Sequence, residues 1–285
     1  MRVIIDKEKI KRNIKKAETL SQGVSVSLLF KDFYEDIYSC IHPVKNEIFS
    51  MNFMFSNCYA IGKGNDAHIG AVVTHVDQLS NLDPVTLKTV FIPINVGDNR
   101  EGLSMGDAIQ LSSKIKSRVY RTDIVGMITS GCLNERAPRP KDLEEIFRAA
   151  KGSVSSLSVG GSYWLGSKEK LPSCVRDIRI GEYMLFGTIP YNNEEERLGE
   201  NAILIEAEVI GVYPERNHIL IDCGYSLAEP DKCSYLDRNL FYVDSSSEYT
   251  ILYTDTAKFK LGDKVYMKPN YKSLVKLKNA VRNYI

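Results

Sequence analysis

Apolar and polar positions follow one rhythm up to about residue 190 and another beyond it. Residues 2–6 read as a short strand, and residues 7–20 place Ile10 and Ile14 four apart among lysines, the period of a helix. The run from Val24 to Phe30 reads as a strand ending at Lys31, and an amphipathic stretch follows from Phe33 to Ile41. Shorter apolar runs come at Glu47–Phe55, Cys58–Ile61 and Ile69–Thr74, and Val90–Val96 reads as a buried strand. Ser104–Lys116 and Pro140–Ala150 predict helices, the second with Leu143, Ile146 and Phe147 on one face. Asp123–Ile128, Ser155–Val159 and Arg179–Phe186 complete the strand set. Strands alternating with helices predict parallel βαβ units, hence an α/β barrel or an open sheet.

Pro190–Arg197 reads as a polar linker. Beyond it, Ile203–Ile210, His218–Asp222, Leu240–Val243, Tyr249–Leu252 and Lys264–Met267 alternate in strand fashion, and helical signals are scarce before the last fifteen residues. The predicted organisation is therefore an α/β unit over residues 1–190 and a mostly antiparallel β domain over 191–285 with a short helix-like tail. The first unit is short for a barrel. Fewer than sixty residues separate Lys31 from Val90, where three βα units of about 30 residues each would need more. Helices on that side must be trimmed or absent, and Gly62–Asp66 reads as a tight loop where one would lie.

Charge and cysteine usage remove several function classes. A net charge of +1 gives no electrostatic case for nucleic acid or an acidic membrane. No apolar run approaches the roughly 20 residues that span a bilayer, and the N-terminal run is too short for a signal peptide. The six cysteines show no CxxC spacing and read as reduced thiols of a cytoplasmic protein. The four histidines form no HxxxH or HxH pair, so local spacing builds no metal site.

Several positions carry candidate chemistry. A lysine at the carboxyl end of an early barrel strand points into the barrel mouth, where partial desolvation lowers an ammonium pKa and frees a nucleophile; Lys31 holds that place, although a lysine at a strand end is ordinarily a surface residue. Gly160-Gly161-Ser162 follows the strand Ser155–Val159 and has the small residues and hydroxyl that suit a phosphate. Taken alone it is an ordinary loop. Asp98-Asn99-Arg100-Glu101-Gly102-Leu103, Arg179-Ile180-Gly181-Glu182 and Lys268-Pro269-Asn270-Tyr271 complete the set.

In this order, from about residue 2 to residue 285, these motifs resemble the fold-type III pyridoxal phosphate (PLP) enzymes, the alanine racemase superfamily, and most nearly its ornithine racemase branch. The resemblance implies a TIM-type barrel, abbreviated here, followed by a β domain whose tail returns to the active site. It matches Lys31 to the Schiff-base lysine and Arg100 to an arginine near the cofactor's phenolic oxygen. Gly160, Gly161, Ser162, Gly181, Glu182 and Tyr271 match the phosphate site, and Arg179 the arginine facing the pyridine nitrogen. Arginine keeps its proton, so that nitrogen stays unprotonated, which favours return of a proton to the same carbon over transamination. Tyr225 is placed like the second acid/base, but the aspartate and glycine expected just beyond it are missing. A tyrosine needs nearby positive charge to act as a base near neutrality. Ser130 stands where alanine racemases carry a ring-stacking histidine.

The implied activity is racemisation of a free amino acid, a basic one such as ornithine or an alanine-like one, by a head-to-tail homodimer without metal. Two other readings stay open: a PLP-binding protein with little or no turnover, and a decarboxylase or lyase of the same fold. Against the lyases, Tyr271 and Ser273 stand where their metal-binding histidine and cysteine are expected.

Overall fold

The computed structural model describes residues 1–30, 48–52, 57–61, 69–81, 87–97, 102–119, 121–129, 138–191, 194–271, 274, 276–277 and 280–285. The chain forms two compact units, one of residues 12–199 and one of residues 1–11 with 200–285.

In the first unit, eight strands close into a barrel. They are β2 (Ser25–Phe30), β3 (Ile48–Asn52), β4 (Asn57–Ile61), β5 (Ile69–Val72), β6 (Leu87–Pro93), β7 (Asp123–Thr129), β8 (Ser156–Gly160) and β9 (Val175–Ile180), the strand β1 (Arg2–Ile5) belonging to the other unit. Neighbouring strands are parallel except where β4 meets β3 and β5, which it pairs antiparallel. This is how the shortened segment closes the barrel. A parallel connection needs a crossover of a dozen or more residues, whereas antiparallel neighbours need only a turn; four residues separate β3 from β4. The architecture is thus an α/β, TIM-type barrel with one strand reversed. The proposed amphipathic stretch 33–41 and the loop Gly62–Asp66 lie outside the described residues.

Among the described residues, four α-helices form: α1 (Lys7–Leu20), α2 (Met105–Arg118), α3 (Pro140–Ala149) and α4 (Glu182–Phe186). Local chemistry sets the ends of α2 and α3. Ser104 caps α2, its Oγ accepting from Asp107 N at 3.2 Å. Pro140 opens α3, where a missing N–H costs nothing, and Asp142 accepts from the Arg139 backbone N–H at 2.8 Å. The Arg139 side chain and backbone hold the Asp142 carboxyl down to about 2. A depressed carboxyl stabilises the fold above its unfolded pKa and loses that contribution as pH falls towards the folded value. Wild-type and Asp142→Ala proteins are therefore expected to differ in Tm at pH 6 and to converge towards pH 2.5, as followed by circular dichroism.

The barrel interior has two sectors. Val72, Phe91, Val125 and Met127 form an apolar cluster on β5, β6 and β7, with Leu29 of β2 packed against it. On β2, β8 and β9 the interior is polar: Ser27, Ser158, Asp177 and Arg179 are all buried. Cross-strand register places Ser27 opposite Arg179, Arg179 opposite Gly160, and Gly160 opposite Thr129. Residues opposite one another in a sheet share a face, so these four form one layer.

Two expectations change here. Arg179–Phe186 is not one strand: β9 ends at Ile180 and α4 begins at Glu182, ending at Gly187 in the left-handed region with φ 64°. The polar stretch 190–197 is no linker either, because β10 (Thr188–Tyr191) and β11 (Glu194–Arg197) pair as an antiparallel hairpin.

The second unit is an antiparallel sheet built on β12 (Ile203–Tyr213), with β13 (His218–Ile221), β14 (Ser234–Tyr235), β15 (Phe241–Ser245), β16 (Thr250–Tyr253) and β17 (Lys264–Lys268) in the order β14-β17-β12-β13-β16-β15. Residues 1–11, counted with the barrel by the sequence pattern, join this unit through β1, which pairs antiparallel with β12. The tail is not helix-like to its end. It closes with β18 (Val281–Tyr284), parallel to β1. Among the described residues, no helix is long and apolar enough to cross a membrane.

Candidate active site

Active sites of α/β barrels sit at the carboxyl ends of the strands, on the loops that follow them. Three such loops, after β6, β8 and β9, hold described residues of the sequence motifs. At the end of β6, Ile94 bridges to Leu103, and Asn95 N donates to Leu103 O at 2.9 Å. This ties the far end of the Asp98–Leu103 motif to the rim. Gly102 has φ +103°, and a Cβ there would lie 2.6 Å from Asn95 N and 2.7 Å from Ile94 C, both backbone atoms. Gly102→Ala is expected to destabilise the protein by about 2–3 kcal/mol, a Tm loss of roughly 5–10 °C by calorimetry. Arg100 itself lies outside the described residues, as do Lys31 and Ser130.

The ends of β8 and β9 lie side by side. Gly160 closes β8, Gly161 follows with φ 108°, and Ser162 opens a short 3-10 turn, Ser162–Gly166. Gly181 precedes α4, which begins at Glu182. Gly161 N donates to Arg179 O at 3.0 Å, and Tyr183 N donates to Ser162 Oγ at 3.0 Å, so the two loops are stitched together. First-turn amides have no partner within their own helix and suit an anion. Ser162 accepts from Tyr183 and keeps its own proton to donate. Glu182 is turned to another use, its Oε1 accepting from the Thr188 hydroxyl at 2.9 Å. Burial pushes the Tyr183 phenol up to about 12.

One residue short of these loops lies Arg179, 2% exposed. Its Nη1 donates to Ser158 O at 2.7 Å and Ser158 Oγ at 2.6 Å. Its Nη2 donates to Ile128 O at 2.8 Å and Thr129 Oγ1 at 3.2 Å. The guanidinium thus spans from β9 across β8 to β7. Gly160 makes room for it, because a Cβ at that position would meet Arg179 Nη2 at 2.6 Å. The structure therefore brings Gly160, Gly161, Ser162, Arg179, Gly181 and Glu182 together at one end of the barrel.

Tyr225 and Tyr271 belong to the second unit. Tyr225 follows Gly224, where a Cβ would lie 2.5 Å from the backbone of Ser247 and Glu248, and Tyr225 N donates to Ser246 O at 2.9 Å. The side chain is 39% exposed, and its hydroxyl lies 3.0 Å from that of Tyr242. The phenol is pushed above its ordinary range, first by the hydrogen bond with Tyr242, then by desolvation and the charges of Tyr242 and Asp231. This is opposite to the tuning a base needs. Lys276 Nζ stands 5.9 Å from the Tyr225 ring centroid but is ion-paired with Glu229 at 3.3 Å. Tyr271 is half-buried in a 3-10 turn.

The residues that the sequence pattern passed over are Ser158, Thr129 and Asp177. Asp177 is 1% exposed; its Oδ2 accepts from Ser158 Oγ at 3.0 Å, and its Oδ1 faces Arg176 Nε at 3.6 Å. Burial raises its carboxyl, against Arg179, hydrogen bonds from Ser27 and Ser158, and Arg176. The signal was present in the spacing: Ser25 and Ser27, Ser156 and Ser158, Asp177 and Arg179 recur every second residue. Among the described residues, no group of three or more His, Cys, Asp or Glu could hold a metal ion.

No family model matches the chain. It is 23% identical to a D-serine dehydratase of Dictyostelium discoideum over 324 aligned residues, covering 90% of this chain and 75% of that protein. Among solved structures, it resembles the biosynthetic alanine racemase of Pseudomonas aeruginosa (14% identity, TM-score 0.75, all of both chains). It also resembles D-threonine aldolase of Filomicrobium marinum (15%, 0.66, 99% of this chain and 91% of that one). D-threo-3-hydroxyaspartate dehydratase of Delftia sp. HT23 is a third neighbour (13%, 0.65, 97% and 92%). The fold of this chain is the alanine racemase-like one, an α/β barrel with an antiparallel β domain.

Proposed function

We propose that this chain is a PLP-dependent racemase of a free amino acid, with Lys31 as the cofactor-bearing lysine. The observation that carries the reading is the buried Arg179 guanidinium beside Gly160, one residue short of two stitched loops that open helical turns on adjacent strands. The residues fit a phosphorylated pyridine: Ser162, Gly181 and Glu182 offer first-turn amides and a hydroxyl to an anion, Gly161, its own amide given to Arg179 O, leaves room for it to approach, and Arg179 offers a fixed cation to the ring nitrogen. Arg100 and Tyr271 complete the proposed cofactor set. When bound, PLP supplies an electron-withdrawing ring that acidifies the substrate's α-carbon.

Lys31 then takes the α-proton from one face, and Tyr225, contributed by the β domain of a partner subunit, serves the other. Inversion needs a group on each face, because one base tends to return the proton to its own side. A phenol pushed upward stays protonated at neutral pH, so Tyr225 is set to donate. Tyr225→Phe is expected to lower racemisation by about 10²–10⁴-fold while exchange of the α-proton in deuterated water persists for one enantiomer, as read by NMR. The proposed substrate is a basic amino acid such as ornithine, or an alanine-like one. The proposed setting is the cytoplasm, and the proposed assembly a homodimer.

The similarity to a D-serine dehydratase favours a second reading, elimination from a β-hydroxy amino acid. One experiment separates the two. The PLP-loaded protein is incubated with each L- and D-amino acid, and the products are resolved by chiral chromatography beside an oxo-acid and ammonia assay. Enantiomer formation supports the racemase; oxo acid and ammonia in its place support the dehydratase. Bound PLP with neither product, and no α-proton exchange, leaves a cofactor-binding protein.

A further inference from the structure

Arg179 is a cation in the interior of a barrel, and a buried cation is costly unless it is paired and hydrogen-bonded. Among the described residues, four Nη contacts are to neutral groups: two carbonyls and the hydroxyls of Ser158 and Thr129. A carboxyl lies one step beyond Ser158. Guanidinium can only donate, so Ser158 Oγ accepts from Arg179 at 2.6 Å and sends its own proton to Asp177 Oδ2 at 3.0 Å. The direction of the chain Arg179→Ser158→Asp177 is fixed by the chemistry of its first member. Asp177 stands two residues before Arg179 on β9 and directly opposite Ser158 on β8. The serine thus links two side chains of one strand through the neighbouring one. Ser158 is 0% exposed, which leaves its hydroxyl no solvent alternative.

We propose that Asp177 is a positioning residue that acts through Ser158 to hold the Arg179 guanidinium in the place and orientation that receive the ring nitrogen of the cofactor. This rests on the PLP reading and adds to it a residue with no contact to the cofactor. The carbonyls of Ser158 and Ile128 set the plane of the guanidinium, and Asp177 sets the charge balance that keeps it there. In this chain the arginine is held by a serine–aspartate pair, so its grip on a ligand depends on two side chains that never touch that ligand.

The test uses PLP itself and two variants that remove different links. Asp177→Asn keeps shape and an acceptor oxygen but removes the charge; Ser158→Ala keeps the charge and cuts the relay. PLP affinity is titrated by visible absorbance, and folding is checked by Tm. Each variant is expected to weaken PLP binding by about 10-fold, and the double variant by no more than either single, because both break one chain. Ser158→Thr, which restores a hydroxyl, is expected to recover affinity, and in an Arg179→Lys background Asp177→Asn is expected to change affinity less than twofold. Unchanged affinity in both single variants while the wild type binds PLP overturns the proposal, as do additive losses or a fall in Tm alone. If the wild-type protein takes up no PLP, the reading beneath it falls instead, and this assignment with it.

Discussion

Lys31→Ala protein mixed with PLP is expected to show no visible absorption band and to lose racemisation by about 10³-fold or more, the contribution of a positioned general base alone. The expectation rests on strand alternation. In β2, Ser27 lies in the polar layer of the barrel interior and Leu29 packs on the interior apolar cluster. Lys31 itself lies outside the described residues; carried on by sequence, the alternation predicts the same face for it, and a lysine at the carboxyl end of a barrel strand is expected to be partly desolvated, which favours a neutral nucleophile. Borohydride reduction of the PLP-loaded wild type followed by peptide mass mapping provides the direct measurement. The adduct should fall on the peptide containing Lys31. Adduct on other lysines, or an undiminished band in the alanine variant, removes Lys31 from the chemistry.

The elements that were legible in the sequence are those whose causes are local. Ser104 and Pro140 mark the starts of α2 and α3 because capping and the missing proline N–H act within one turn. Strands β6, β7 and β8 were legible because their apolar runs are short and bounded. The failures share a different cause. Glu182–Phe186 is a short run of apolar character between Gly181 and Gly187, and in such a run periodicity cannot tell a buried strand from a buried helical turn. Glu194–Arg197 carries no apolar residue at all, so nothing in its pattern marks a strand; it forms against β10. The pairing of Val281–Tyr284 with Arg2–Ile5 joins the two ends of the chain, a contact that no local window contains. Within the site, the glycines and Arg179 were found by motif, whereas Ser158 and Asp177 belong to no motif that singles them out. They are the inward-facing polar positions of a barrel, and that meaning emerges only once the sheet closes.

Arg179→Met is expected to be the most destabilising change in the barrel, by roughly 3–5 kcal/mol, because removing one member of a buried charged network strands the others. The long thioether fills much of the volume but accepts none of the roles of the fork. Ser158 Oγ, Ile128 O and Thr129 Oγ1 lose their donor, and Asp177 loses a cation that opposes the upward push of burial on its carboxyl. The pH dependence follows from that loss. A carboxyl whose folded pKa lies above its unfolded value contributes stability that is present below the unfolded pKa and is lost as pH rises through the folded one. Without Arg179 the folded value rises further, so the deficit relative to wild type should be smallest near pH 4 and grow towards pH 8, as measured by urea unfolding across that range. Removing the stranded charge should then help: Arg179→Met/Asp177→Asn is expected to be more stable at pH 8 than Arg179→Met alone. A deficit that is flat with pH, or a double variant no better than the single one, would mean that Asp177 does not answer to the Arg179 charge. The polar sector of the barrel would then be a set of independent hydrogen bonds. PLP binding should be lost in both variants whatever their stability, because neither retains a cation at the floor of the Gly160–Ser162 loop.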